Sequence, residues 1–525
     1  MAPAADNALI VQSDCSVLLE ANAPRAGEAR AVLAPFADLV KSPEHVHTYR
    51  LTPLSIWNAR AAGLAAEQMV EALREHARYV VPPNVEQEIL ELAARYGRVV
   101  IARDGDALRC RCLDQVTAER LARDREAGQY LTDRIDATTF RVDPAVRGVL
   151  KQALVGAGYP AEDLAGYVAG EPFALALRER AASGAAFVVR DYQRQAAEAF
   201  YRAGSERGGS GVVVLPCGAG KTVVGLAAMA MVGQTTLVLA TSLTSVKQWR
   251  RELLDKTTLK PEDIAEYTGE QKHTGPVTLT TYQILTWRAD REREFPHLEL
   301  FRARAWGLIV YDEVHLLPAP VFRATADLQA RRRLGLTATL VREDGREGDV
   351  FALIGPKRFD VPWKDLEQQA WIATATCVEV RVPMSAERRM AYALAERRVQ
   401  FRVAAENPAK LGHLRDILSH YPDGRVLVIG GYLDQVEAIA KEIGAPLVTG
   451  KTAQAERERV YEQFRQGELK RIVLSKVGNF AVDLPDADVL IQVSGAFGSR
   501  QEEAQRLGRI LRPKRDGRAA HFFTL

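Results

Sequence analysis

The chain has 525 residues, of which 47% are hydrophobic and 26% charged, with a formal net charge of only +3. That length exceeds one ordinary core and points to about three domains, and the balance is that of a soluble globular protein. The longest apolar runs, such as that near Leu226 to Val232, fall far short of the roughly 20 residues that cross a bilayer. Met1 to Leu9, with Asp6 and no basic start, does not read as a secretory signal. Five cysteines make no disulfide framework, so a reducing, cytoplasmic setting is the default. Near-neutral charge permits a nucleic-acid partner without demanding one, since a local basic patch suffices.

The first third reads as α+β. Leu9–Gln12 and Ser16–Glu20 suggest a hairpin around Ser13 and Asp14, followed by helical patterns over Ala65–Arg78 and Val85–Tyr96. A second hairpin, Val99–Arg103 with Ala107–Cys112, turns on Asp104, Gly105 and Asp106. Cys110 and Cys112 form a lone C-x-C without a second ligand pair, and alternating faces of that strand explain them better than zinc. From about Phe187 onward, short continuous apolar strands alternate with helices: Val212–Leu215, Leu237–Ala240, Val277–Thr280, Leu308–Tyr311 and Leu334–Leu336. A second series follows at Val426–Ile429, Ile472–Leu474 and Val489–Gln492. Such strands belong to parallel sheets covered on both faces. The two series divide between Phe351 and Trp371, where Gly355, Pro356 and Pro362 break the pattern, so two α/β lobes are expected.

The run Leu215-Pro216-Cys217-Gly218-Ala219-Gly220-Lys221-Thr222 leaves one of these strands and opens the helical stretch Val223–Val232. A strand, a Gly-rich turn and a helix N-terminus present a concave array of backbone N–H groups that suits phosphate. Pro216 to Gly220 would cradle the phosphates of ATP, Lys221 would reach the β- and γ-phosphates, and Thr222 would hold Mg²⁺. Leu215 stands where the strict pattern has its first glycine. Asp312-Glu313-Val314-His315 follows the apolar strand Trp306–Tyr311, at the strand end where α/β sheets bind ligands. Asp312 can hold Mg²⁺ and Glu313 can orient and deprotonate an attacking water. His315 alone reads equally as a packed core histidine.

Near the C-terminus, Gln505, Arg509 and Arg512 share one helix face by their spacing of three and four. A solvated basic helix would look the same. In a chain with a phosphate site in its other lobe, however, these guanidinium groups can serve as arginine fingers that stabilise the γ-phosphoryl. Candidate nucleic-acid contacts are the strand-end loops carrying Thr241 to Ser245 with Gln248, Thr280 to Tyr282 with Thr281, and Gly450 to Thr452 with Lys451. Hydroxyls, backbone N–H groups and lysines bind phosphate without reading sequence. Trp249 reads as core rather than as a stacking platform.

With these motifs, the chain resembles superfamily 2 helicases, and within them the XPB family of DNA-repair helicases. Arg190-Asp191-Tyr192-Gln193 is similar to the family's adenine-recognition segment, which implies Gln193 on the adenine edge with Arg190 or Tyr192 packing on its face. Thr337-Ala338-Thr339 resembles the motif that links the ATP site to the nucleic-acid track, and Arg342-Glu343-Asp344 matches a triplet associated with XPB proteins. The segment Gly478 to Pro485 would bring Asp483 near the ribose and Asn479 near the track. The resemblance covers about Ala186 to the end, and more loosely Leu9–Leu19 and Ser42–Asn58.

It implies two RecA-like P-loop NTPase lobes in tandem, at 186–355 and 356–525, after an N-terminal helicase-associated domain at 1–89 and a damage-recognition-like domain at 90–185. A thumb-like insertion is expected near 384–402, where Glu387, Arg388, Arg389, Arg397 and Arg398 cluster; an exposed helix with i,i+4 pairs accounts for that charge as well. The implied activity is a DNA-stimulated ATPase using ATP and Mg²⁺ that moves 3′ to 5′ and opens duplex in repair, cytoplasmic and associated with the nucleoid. Three alternatives stay open: a translocase that tracks on duplex without separating strands, the same motor acting on RNA, and a DNA-binding scaffold with a vestigial ATPase. The R-E-D triplet argues against RNA. The intact Lys221, Thr222, Asp312, Glu313 and Arg509 argue against the scaffold.

Overall fold

Alternating apolar residues give the first sheet one dry face. In the computed structural model, which describes residues 6–41, 45–290, 295–328, 331–338, 346–361, 363–369, 371–475, 487–494 and 519–525, β1 (Leu9–Val11) and β2 (Ser16–Glu20) form the expected antiparallel hairpin. With β3 (Asp38–Lys41) and β4 (Val46–Arg50) they build a four-stranded sheet ordered β1-β2-β4-β3. Leu9, Val17, Leu19 and Tyr49 share one buried cluster with Met69 and Leu73 of the helix Ala66–His76 and with Val85 and Ile89 of the helix Pro83–Arg95.

A second antiparallel pair, β5 (Val99–Asp104) and β6 (Ala107–Cys112), turns at Gly105, whose φ of 60° is the left-handed conformation that glycine adopts without strain. β7 (Asp133–Arg134), β8 (Thr139–Val142) and β9 (Ala161–Leu164) complete a five-stranded sheet ordered β7-β8-β6-β5-β9. Cys110 and Cys112 lie on the inward face of β6, alternating with exposed Arg109 and Arg111. Burial pushes the Cys112 thiol up to about 11 and raises that of Cys110 as well, so both are inert packing groups at neutral pH.

The third sheet is parallel throughout. β10 (Ser210–Val214), β11 (Thr236–Ala240), β12 (Ile264–Tyr267), β13 (Val277–Thr281), β14 (Leu308–Asp312), β15 (Arg332–Thr337) and β16 (Lys357–Asp360) are ordered β12-β13-β11-β14-β15-β10-β16. β10, β11 and β13 are buried at every position, which is why they read as continuous apolar runs. β12 and β16 escape the sequence pattern because they are the sheet's edges and mostly half-buried, so polar residues suffice there. A fourth sheet, also parallel, comprises β17 (Ala375–Glu379), β18 (Val426–Ile429), β19 (Leu447–Val448), β20 (Arg471–Leu474), β21 (Val489–Gln492) and β22 (Ala520–Thr524), ordered β17-β22-β21-β18-β20-β19. The two parallel sheets are the two RecA-like lobes. Between β17 and β18 the helices Ala386–Leu394 and Arg397–Ala405 lie side by side, with Arg388 donating to the carbonyls of Val403 (3.1 Å) and Glu406 (2.6 Å) while Met390 and Leu394 stay exposed.

The chain divides into two units: Met1–Val214 with Val223–Ala240 and Trp249–Asp360, and Leu215–Thr222 with Thr241–Gln248 and Val361–Leu525. Within the first, the five-stranded domain is fastened to the seven-stranded sheet by the helix Arg147–Gly156, which packs on the helices Ala319–Asp327 and Glu347–Leu353. The approach is so close at Gly148 that a Cβ there would stand 2.4 Å from the Ala326 carbonyl oxygen. Gln152 donates to Asp349 Oδ1 at 2.8 Å. The N-terminal sheet domain is tied in at Asn58, whose Oδ1 accepts the Lys357 backbone N–H at 2.7 Å.

Behind the helix Arg147–Gly156 lies a dry ionic cluster. Asp163 takes two hydrogen bonds from Arg147, at 2.9 and 2.7 Å, and an ion pair from Lys151 at 3.1 Å. Burial alone would raise the Asp163 carboxyl, but Lys151 and Arg147 outweigh it and hold the group well below the usual carboxylate range. Asp163→Ala would strand two buried cations, and a loss of about 3–5 kcal/mol is expected in urea denaturation at neutral pH. Because the folded carboxyl is depressed, its contribution is complete above the unfolded Asp value of about 3.9 and drains away below it. The stability gap between wild type and Asp163→Ala should therefore narrow as pH falls through about 4.

Candidate nucleotide and nucleic-acid site

β14 is the central strand of the seven, and its last residue is Asp312. Because β10, β14 and β15 run parallel, their carboxyl ends share one sheet edge. β10 leads into the Gly-rich turn, which closes with the Ala219 N–H on the Pro216 carbonyl (3.1 Å) and passes into the helix Lys221–Val232. Gly218 and Gly220 adopt φ of 83° and 80°, so the turn needs the residue type that the sequence supplies. Leu215 is fully buried at the strand end, a packing role that explains why a side chain stands there.

Glu313 holds a left-handed backbone, φ 49° and ψ 55°, which costs a non-glycine residue roughly 1–3 kcal/mol. The strain turns the chain abruptly off β14. His315, buried just beyond, places Nδ1 2.6 Å from Thr337 Oγ1 and 3.5 Å from Glu313 Oε2. The histidine thus connects the ends of β14 and β15 and carries a specific bond, which residue type alone did not reveal. Ala338 follows β15 directly. Two further groups hold Asp312: the Tyr282 hydroxyl donates to its carbonyl at 3.0 Å, and the Trp249 indole N–H donates to its Oδ2 at 3.0 Å. Trp249 is indeed core, but its polar tip is spent on the candidate metal ligand. A lone helical tryptophan gives no signal of that in sequence.

Gln193 is 3% exposed, and its Oε1 accepts the Arg190 backbone N–H at 3.1 Å, capping the helix Asp191–Tyr201. The Arg190 side chain donates to the Tyr192 hydroxyl at 3.0 Å. Phe187, just upstream, packs on Val223 of the helix after the Gly-rich turn, which places this segment beside the turn's helix. Among the loop candidates, Thr241 and Gln248 are half-buried, flanking Ser242, which caps the helix Leu243–Lys256 through the Ser245 N–H at 3.1 Å. Thr281 is buried and its hydroxyl caps the helix Tyr282–Leu285. Lys451 is exposed on a turn stapled by Thr449 and Thr452, whose hydroxyls accept the N–H groups of Lys451 (3.2 Å) and Thr449 (2.9 Å). Thr339, Arg342, Glu343, Asp344, Asn479, Asp483, Gln505, Arg509 and Arg512 lie outside the described residues.

A strand-end carboxylate pair, a Gly-rich turn leaving a strand of the same sheet and two parallel sheets define the class: a P-loop helicase with tandem RecA-like lobes. Family models agree in order along the chain. The type III restriction enzyme res-subunit model matches 186–342 and the ERCC3/RAD25/XPB C-terminal helicase model matches 366–525. A model described as a helicase conserved C-terminal domain matches 9–136, here at the chain's beginning. The chain is 54% identical to the DNA 3′-5′ helicase XPB of Mycobacterium tuberculosis, over 99% of this chain and 93% of that one. It is equally similar to the XPB helicase of Kineococcus radiotolerans, covering 99% and 91%. The general transcription and DNA repair factor IIH helicase/translocase subunit XPB/SSL2 of Saccharomyces cerevisiae is 30% identical over 98% of this chain and 68% of its own. The chain belongs to the XPB family of helicases. Among the described residues, no helix is long and apolar enough to cross a membrane.

Thr337→Val keeps the strand's shape and removes the hydroxyl facing His315. It should cost about 1–3 kcal/mol in urea denaturation, the range for a buried polar group that loses its partner.

Proposed function

We propose that this chain is an ATP-dependent DNA helicase that moves 3′ to 5′, acting in DNA repair from a cytoplasmic, nucleoid-associated position. The observation that carries the reading is the Asp312–Glu313 pair at the end of the central strand, at the same sheet edge as the end of the strand that leads into the Gly-rich turn. Backbone N–H groups of Pro216 to Gly220 (the proline excepted) would cradle the phosphates, and Lys221 would bind their outer oxygens. Gln193 with Arg190 and Tyr192 would receive the adenine, and Asp483 the ribose.

Thr222 and Asp312 would hold Mg²⁺. One hydroxyl and one carboxylate, with the substrate's phosphates, form the hard oxygen set that this ion accepts. Bound there, the ion neutralises charge on the phosphates. Glu313, at the turn that its strained backbone makes, would orient the attacking water and take its proton. Gln505, Arg509 and Arg512 would stabilise the transferring phosphoryl from the second lobe. Thr241, Gln248, Thr281, Lys451 and Asn479 would follow the DNA backbone, and the segment from Thr337 to Thr339, with Arg342 to Asp344, would couple it to the ATP site. His315, bonded to Thr337 and close to Glu313, supports a link between the base and that segment. A translocase that follows duplex without separating strands would use the same parts.

ATP turnover should rise with single-stranded or duplex DNA and respond less to RNA; turnover that no polymer raises would sink the motor reading. Lys221→Ala should abolish hydrolysis. Glu313→Gln should still bind ATP while turnover falls by about 10²–10⁴-fold, and normal turnover in that variant would remove Glu313 from the role of base. A strand-displacement assay beside a triplex-displacement assay distinguishes unwinding from tracking.

A further inference from the structure

We propose that Trp249 is a positioning residue that fixes the Asp312 carboxylate for metal binding, by holding Oδ2 with its indole N–H. The inference rests on the reading of Asp312 as the magnesium ligand. The bond from Trp249 Nε1 to Asp312 Oδ2 is 3.0 Å, and the indole is 1% exposed. The ring is also immobilised. It lies so tightly on the helix Lys221–Val232 that a Cβ on Gly225 would stand 2.5 Å from its Cη2 atom and 3.2 Å from its Cζ3 atom. Only a residue without a side chain leaves room for the indole at that point. A mere filler of that space would need no polar atom aimed at the strand end.

A carboxylate at a strand end rotates broadly about its last torsion, which spreads its oxygens over many directions. Here the Tyr282 hydroxyl grips the backbone carbonyl of Asp312 and Trp249 grips one side-chain oxygen, so the residue is held at both ends. The choice of donor matters. An indole N–H is a single uncharged donor. It orients the carboxylate without neutralising the negative charge that a divalent cation needs, as a lysine or arginine in its place would.

Trp249→Phe keeps a buried ring and removes the donor. Metal binding is read directly, by electron paramagnetic resonance titration with Mn²⁺ in the presence of a non-hydrolysable ATP analogue. Affinity for the same analogue in EDTA serves as the second readout. The expected result is Mn²⁺ binding weakened about tenfold, the scale of one lost hydrogen bond to a charged group, with metal-free nucleotide affinity unchanged. Unchanged Mn²⁺ affinity overturns the proposal. So does an equal loss of nucleotide affinity in EDTA, which would make Trp249 a packing residue only. Asp312→Asn is measured alongside. If it fails to weaken Mn²⁺, the ligand reading itself falls; if it weakens Mn²⁺ and Trp249→Phe does not, the positioning role alone falls. Should the Phe variant not fold, benzothienylalanine at position 249, which keeps the bicyclic shape and lacks the N–H, gives the same decision.

Discussion

The parallel ladder of the seven-stranded sheet is the constraint on which the first lobe depends. Every neighbouring pair from β12 to β16 runs in the same direction, so every strand delivers its last residue to one edge. Strands buried on both faces have no solvent side on which to carry chemistry. Groups that must meet a ligand therefore lie where the strands end, at Val214, Ala240, Thr281, Asp312 and Thr337, whereas polar residues within the strands, such as Thr278 and Arg333, are wholly buried. The Gly-rich turn, the carboxylate pair and the segment from Thr337 lie at or just beyond those ends for that reason, whereas Arg190, Tyr192 and Gln193 stand at the start of the helix Asp191–Tyr201 before β10.

At that edge, desolvated polar groups need partners. His315 is met by Thr337, Asp312 by Trp249 and Tyr282, and Gln193 by the backbone of its own helix. Buried polar groups that are satisfied in this way rigidify a site, whereas partly satisfied ones destabilise it. The strained backbone at Glu313 fits this picture. A left-handed glutamate persists only where its surroundings over-determine it, and the bonds on both sides of it, to Asp312 and to His315, do so.

A second network fastens the five-stranded domain to the same lobe. Arg333, wholly buried on β15, donates to the Leu353 carbonyl at 2.7 Å, and its guanidinium lies 5.8 Å from the Tyr167 ring. Arg147 and Lys151 converge on Asp163 close by. The helix that carries Arg147 and Lys151 also rests on Glu347–Leu353, the helix after the R-E-D triplet. Charges this dry are expensive to separate, so the ionic cluster holds the helix Arg147–Gly156 to β9 inside the five-stranded domain, and that helix, with Gln152 on Asp349 and Arg333 beside Tyr167, fastens the domain to the lobe.

The amino-acid sequence by itself determined the two-lobe architecture and the candidate residues at its strand ends. Central strands must be apolar throughout, a phosphate turn must have glycines at positive φ, and the carboxylates must follow a strand, so β10, β11, β13, β14 and the stretch from Pro216 to Thr222 were legible as patterns. What tertiary structure alone decided is whatever depends on partners distant along the chain. The edge strands β12 and β16 are strands only because a neighbour offers them hydrogen bonds. Asp163 is a buried anion only because Arg147 and Lys151 surround it. Trp249 reads as an ordinary core residue until Asp312 arrives at its indole N–H, since a hydrogen bond between residues 63 positions apart leaves no periodicity in the sequence to mark it.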